Sequence, residues 1–433
     1  MAIRSVVSTA GKKQDAIAAY SEAVNALKAM RGDLVAINPE VQFSFRESVE
    51  PVYRELVDLL LDQQPSQAAL AEARELIEAL QIAELDNFFR EACLDKAQQI
   101  DRVDPSATIV YPIILPNRLA TIFSQAGKPL RYYVTDTAPG EVEQTLNNLL
   151  AALNPVSDGQ ERDRLSQKVY DWLIRPAERD RLLRDTQTLV FVLDGRLRNI
   201  PMAALYDGQR YLIEKYAVAL SPGLQVMAGR SRDNFSAIIG GISESRSGFS
   251  ALPEVEAEVK EISKALPSAL LLNQAFTNRA LAERLQSKRA SIVHLATHGQ
   301  FSSRIEDTFL LTWDGQVSVR ELSELLENRG GDPSQAIELL VLSACDTAAG
   351  DDRAVLGLAG LAVKSGARST LATLWPVKDR AAALLMTRFY DQLRQPNQTK
   401  AEALRQAQIH LIRQTDFRDP FFWSGFVLVG NWA

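Results

Sequence analysis

Short runs of consecutive apolar residues, each closing in small or polar ones, recur through the second half of the chain, separated by amphipathic stretches of helical period. An apolar run of this length fits a strand buried on both faces, so the pattern predicts strands in alternation with helices. Strands are expected over 235–241, 270–272, 292–296, 339–342, 369–374 and 426–429. Helices are expected over 253–266, where Pro253 suits a helix start, and over 278–285, 319–327, 356–363, 380–393 and 399–413. A hairpin insertion over 308–319, turning at Asp314 and Gly315, interrupts the series, and 330–333 reads as a loop. Repeated βα units of this kind imply a mostly parallel α/β sheet of about five or six strands, covered by helices.

The first hundred residues carry a different pattern. Residues 12–30 read as a helix whose Ala16, Ile17, Tyr20, Ala23, Val24 and Leu27 form a broad apolar and small-residue surface. Residues 47–61 and 66–93 read as longer amphipathic helices, the second rich in Ala, Glu and Leu. The pattern changes at Asp104 and Pro105. Residues 107–115, 120–123 and 130–134 suggest short strands, with Pro112 and Pro116 favouring edges or turns. Residues 141–153 and 161–173 look helical, while 188–193 and 215–220 are further strand candidates. Three parts are therefore expected: a helical module over 1–103, a smaller α/β support domain over 104–232 with neither histidine nor cysteine, and an α/β domain over 233–433.

Composition narrows the function. With 433 residues, 46% of them hydrophobic, the chain can build more than one core. A net charge of −6 argues against general electrostatic binding of nucleic acid. The two cysteines, Cys93 and Cys345, are too few for a disulfide framework, and Cys93 in its helical stretch reads as a small buried residue. No signal-peptide core follows the first basic residue and no apolar run reaches about 18 residues, so the expectation is a soluble cytoplasmic protein without a membrane segment. A lone thiol stays reduced there.

Two stretches carry the chemistry. Ser291–Phe301 contains His294 and His298, and Leu339–Gly350 contains Cys345. His298 and Cys345 stand where predicted strands give way to loops, and in a parallel sheet those ends converge on one edge. A cysteine and an imidazole brought together there read as nucleophile and base. Gly299 permits a sharp exit, and its N–H together with that of Cys345 can form an oxyanion hole. His294 lies four residues before His298, on the same strand face but about 13 Å away, too far to share a metal. It reads as a residue of the sheet core, and His410 as a structural or surface residue in a helix. No metal, cofactor or calcium-loop motif is present, and the glycines over 240–248 lack the spacing of a dinucleotide fingerprint.

Taken together, His294-Leu-Ala-Thr-His298-Gly-Gln-Phe301 and Ser343-Ala-Cys345-Asp-Thr-Ala-Ala-Gly350 resemble the CHAT-domain family, caspase-like domains related to the separase and caspase clan and often joined to tetratricopeptide repeats. The resemblance extends through Leu374–Asp379 and Phe421–Gly430, and back to Phe191–Gly195 and Ile200–Met202. It implies that His298 is the catalytic histidine and Cys345 the nucleophile, with Gly299 near the oxyanion site. The support segment is similar to the noncatalytic caspase-like half that braces active relatives. Residues 16–23 resemble the second half of one tetratricopeptide-type repeat, and the period is not seen again.

The expected function is a cysteine endopeptidase acting on a protein or peptide substrate through an acyl-enzyme, with an activating or regulatory protein as a further partner. The alternative is a catalytically silent signalling scaffold that binds proteins. Asp346 and Asp307, or Asp314, are candidates for an acidic pocket that attracts Lys or Arg, against the alternatives of caps, turns and surface pairs. Trp375 is a candidate pocket wall, against core packing. Asp379 is placed to orient the loop after Trp375 or to cap the helix that begins near Arg380.

Overall fold

The computed structural model describes residues 10–29, 45–89, 104–221, 235–287, 290–302, 305–327, 336–347 and 366–433. Cys93, the loop at 330–333 and the helix expected over 356–363 lie outside them. The strands are β1 (Ala107–Leu115), β2 (Arg118–Gln125), β3 (Arg131–Asp136), β4 (Thr188–Phe191), β5 (Ala217–Leu220), β6 (Ala237–Gly241), β7 (Ser268–Leu272), β8 (Ile292–Phe301), β9 (Phe309–Leu311), β10 (Gln316–Ser318), β11 (Leu339–Thr347), β12 (Ser369–Thr373) and β13 (Phe426–Gly430). The longer helices are α1 (Ala10–Ala29), α2 (Glu50–Leu60), α3 (Gln67–Phe89), α4 (Glu141–Ala152), α5 (Gly159–Leu173), α6 (Glu254–Ala265), α7 (Asn278–Ser287), α8 (Val319–Glu327), α9 (Asp379–Leu393) and α10 (Lys400–Ile412).

Among the described residues thirteen strands join in one sheet, in the order β10-β9-β8-β11-β12-β13-β5-β4-β1-β2-β3, with β6 beside β8 and β7 beside β6. The fold is α/β, with a mostly parallel sheet covered by helices. The sheet is longer than the five or six strands expected because the support strands continue it: β13 pairs β5 in parallel at Val429 and Leu220. Pairing also fixes direction. β6, β8, β11 and β12 run one way, β12 and β13 are antiparallel, and β13, β5, β4 and β1 run the other way. The C-terminal ends of β8 and β11 therefore share an edge of the sheet with the N-terminal ends of β4 and β5.

Side chains alternate across β8 and β11 with the period of two that a strand imposes. Ile292, Ala296, Leu339 and Val341 join the core that includes Val255 and Val259 of α6 and Leu385 and Met386 of α9. Val293, Leu295, Leu340 and Leu342 join a second core with Leu281 and Leu285 of α7 and Leu322 and Leu326 of α8. Pro112 sits inside β1, opposite Thr121 of β2, yet just beyond Val110, the last β1 residue paired with β4. Its missing N–H costs nothing on that side.

The N-terminal helices lie against the support half. α1 packs on α2, and α2 on α3. Gln81 of α3 donates to the Leu193 carbonyl at 2.9 Å, and Tyr111 of β1 donates to Glu78 at 2.6 Å. Arg54 of α2 grips Asp194 with both terminal guanidinium nitrogens, at 2.8 and 2.9 Å, and its Nε donates to Glu50 at 2.6 Å; Asp194 also accepts the Ile114 N–H at 3.0 Å. Burial alone would raise the Asp194 carboxyl; Arg54, Arg198 and the Ile114 N–H hold it below the ordinary carboxylate value. Among the described residues no helix is long and apolar enough to cross a membrane.

Candidate functional site

β8 and β11 are parallel neighbours, and their register sets Cys345 opposite Gly299 and Asp346 opposite Gln300. Neighbouring strands lie about 4.8 Å apart, so the backbones of Gly299 and Cys345 are adjacent. Both strands run five residues past their expected ends, because the polar continuation of β8 is paired on its other side by β9, Gly299 opposite Leu310 and Gln300 opposite Phe309. His298, Gly299 and Cys345 thus stand in the closing residues of paired strands rather than in loops. The register shifts between Ala296 and Gly299 against Ser343 and Cys345, giving β8 one extra residue at Thr297 and His298. Such a bulge interrupts the ladder and re-aims a side chain.

His298 is half-buried, and its Nε2 lies 2.8 Å from the backbone carbonyl oxygen of Ser250. A carbonyl only accepts, so Nε2 carries a proton, and in the neutral form of the imidazole the lone pair is on Nδ1. The loop between β6 and α6 supplies this contact through a tight turn. Ser247 and Gly248 have φ of +50° and +87°, and the Arg246 and Phe249 N–H groups bond to each other's carbonyls at 3.2 and 2.8 Å. Two left-handed central residues define the turn that suits a two-residue hairpin. It sets Phe249 in a stack on the His298 ring, centroids 5.0 Å apart, and Arg246 over Trp313 at 4.2 Å.

Helix starts gather around the histidine. Asp379, at the first residue of α9, accepts the N–H of Glu254 at the start of α6, at 2.7 Å. It therefore caps α6 rather than its own helix. Burial pushes its carboxyl up from the ordinary value; the Glu254 N–H opposes this, Glu258 and Glu254 add to it, and His298 opposes it. Deeper on the same face, His294 is fully buried, with Nδ1 3.1 Å from the Tyr390 hydroxyl of α9 and Nε2 3.0 Å from Glu258 of α6, off the line of a hydrogen bond. It belongs to the sheet core.

The other sequence candidates lie around this edge. Trp375 is 7% exposed; its indole N–H donates to the Phe421 carbonyl at 3.0 Å and its ring covers Gly425, where a Cβ would come within 2.9 Å of it. Asp307 is exposed in the short helix Ile305–Asp307 that follows β8. Asp314 accepts the N–H of Asn278 at 2.9 Å, at the start of α7. His410, on α10, accepts from Gln414 at 2.8 Å, and burial, then Arg388 and Arg413, push its ring down from the ordinary value. Among the described residues no group of three or more His, Cys, Asp or Glu is placed to share a metal ion. Ser250 and Phe249 were not among the sequence candidates. Ser250 acts through its backbone, which leaves no side-chain signal, although the Ser-Gly pair ahead of Phe249 marks the turn.

Residues 163–431 match the CHAT domain. The chain belongs to the CHAT-domain family. The matched CHAT region starts within α5 and so takes in the support strands β4 and β5 as well as the half that holds His298 and Cys345. Tetratricopeptide repeat protein 28 of Homo sapiens is 24% identical over 61% of this chain, and that of Mus musculus 25% identical over 61%, each alignment covering 13% of the relative. This CHAT protein spans about an eighth of the length of those relatives. Separase of Saccharomyces cerevisiae, in its complex with securin, superposes with a TM-score of 0.55 at 11% identity, over 96% of this chain and 37% of that one. That likeness is one of fold, and the fold is caspase-like.

Proposed function

We propose that this CHAT protein is a cysteine endopeptidase with Cys345 as nucleophile and His298 as base. The observation that carries the reading is the bond from His298 Nε2 to the Ser250 carbonyl, which reserves Nδ1 for a proton, beside a register that sets Cys345 against Gly299. In the proposed cycle the imidazole takes the thiol proton and the thiolate adds to the scissile carbonyl. The N–H groups of Gly299 and Cys345 stabilise the oxyanion, a role favoured by the interrupted ladder at the bulge. Collapse expels the amine, which receives the proton from His298; water then attacks the thioester, giving up a proton to His298, and Cys345 is released. Asp346, Asp307 and Trp375 are proposed to shape the substrate pocket, with Trp375 backing it from the packed side. A regulatory protein partner is part of the proposal, supported by the securin bound to yeast separase.

The test is intact-mass analysis after exposure to acyloxymethyl-ketone peptides that differ in the residue before the reactive carbon. One adduct per chain is expected, lost in Cys345→Ala and suppressed in His298→Ala. No adduct with any peptide, on a folded protein, would favour the silent scaffold.

A further inference from the structure

A pocket of about 730 Å3 opens beside the helical turn Arg175–Arg179, against the starts of β4 and β5. Arg181, Arg184, Arg210 and Lys215 line it, against two carboxylates, Glu178 and Glu214. Both carboxylates are engaged within the protein: Glu178 takes Lys215 and the Tyr216 hydroxyl, and Glu214 accepts the N–H of Tyr211 at 2.8 Å. Lys215 is further held by Asp207 at 3.1 Å. Arg181, Arg184 and Arg210 are exposed and make no side-chain hydrogen bond or ion pair among the described residues. Three arginines thus line one concavity without a carboxylate committed to them.

The backbone adds an independent observation. Arg181 has φ +57°, in the left-handed region. Its N–H bonds to the Glu178 carbonyl and that of Leu182 to the Ala177 carbonyl, each at 2.9 Å. This is the helix ending in which glycine usually takes the left-handed place, because a Cβ there is strained. Strain of this kind persists where the surrounding structure imposes it, often at ligand sites, and here the strained residue is an arginine on the pocket wall.

We propose that this pocket binds a small ligand carrying two or more linked phosphates. Each guanidinium is a planar fork that takes two phosphate oxygens, so several forks around one cavity match several phosphates better than one. The volume is that of a small-molecule site. A nucleoside diphosphate and an inorganic oligophosphate share this chemistry. The site opens on the same sheet edge as His298 and Cys345, three strands along from β11, and the proposal does not depend on the cysteine chemistry.

Isothermal titration calorimetry on the full chain, with sodium tripolyphosphate and with ADP at matched ionic strength, tests it. Saturable binding is expected, weakened about tenfold or more by the double change Arg184→Glu with Arg210→Glu and by Arg181→Gly. Arg181→Gly should also melt at the same or a higher temperature, since it relieves the backbone while removing the fork. Binding of ADP alone identifies a nucleotide site, and binding of tripolyphosphate identifies recognition of the phosphate chain itself. No saturable binding of either, or unchanged affinity in either variant, overturns the proposal.

Discussion

The imidazole of His298 and the backbone carbonyl of Ser250 meet at 2.8 Å across 48 positions of sequence. The turn at Arg246–Phe249 holds the carbonyl there, and Gly248 has the φ, +87°, that an L residue resists. Gly248→Val strains that turn by about 1–2 kcal/mol and shifts the Ser250 carbonyl. Labelling of Cys345 by a peptide ketone is expected to slow about tenfold or more, since small displacements of a positioning group are costly, while the melting temperature changes little. An unchanged labelling rate would show that the ring needs no such anchor.

Asp379 joins the starts of α6 and α9 while burial raises its carboxyl. A raised acid contributes stability that is fully present below the ordinary carboxylate value and is lost as pH rises through the higher value of the folded state. Asp379→Asn escapes this loss and still accepts the Glu254 N–H. Its melting temperature relative to the starting protein should therefore rise as the pH is taken from about 4 to 7, and a flat difference would contradict the assignment.

Arg54 and Asp194 fasten the N-terminal helices to the support sheet, and Asp194 is 1% exposed. Asp194→Ala leaves the Arg54 guanidinium with Glu50 alone and takes the acceptor from the Ile114 N–H, a loss of about 3 kcal/mol in urea unfolding at neutral pH. Because the Asp194 carboxyl is held low, its contribution is present above the ordinary carboxylate value and disappears as pH falls through the lower folded one. The gap between the two proteins should close in acid.

Gly240 of β6 lies beneath Phe276, and a Cβ there would stand 2.4 Å from the ring. Phe276 is fully buried, so the ring cannot simply swing into solvent. Gly240→Ala should cost about 1–3 kcal/mol through overpacking. Adding Phe276→Leu should recover part of that cost, and strict additivity of the two changes would refute the contact.

Much of the C-terminal half was legible because its strands are apolar runs buried on both faces. Val319–Glu327 forms the helix expected from its spacing, and β9 and β10 form the hairpin that turns at Asp314 and Gly315. The ends of β8 and β11 were not legible, since Thr297–Phe301 is mostly polar and owes its extended form to partners on β9 and β11. A period of two alone sets His294 and His298 on one face, but the extra residue at Thr297 and His298 interrupts that alternation, and only packing reveals Glu258 and Tyr390 around the first and Phe249 against the second. Asp379 was readable as a cap, and its client, a helix more than 100 positions earlier, was not.

The junction of β13 with β5 has a consequence for how the chain folds. Val429 meets Leu220 across about 200 intervening residues, so this contact closes a very long loop. Contacts of that separation form late, because the chain must give up most of its freedom before they return anything. The two halves of the sheet are therefore expected to assemble separately, each on local pairings, and to meet only once β13 has been synthesised. Until then β5 presents an unpaired edge, which leaves it open to wrong pairing.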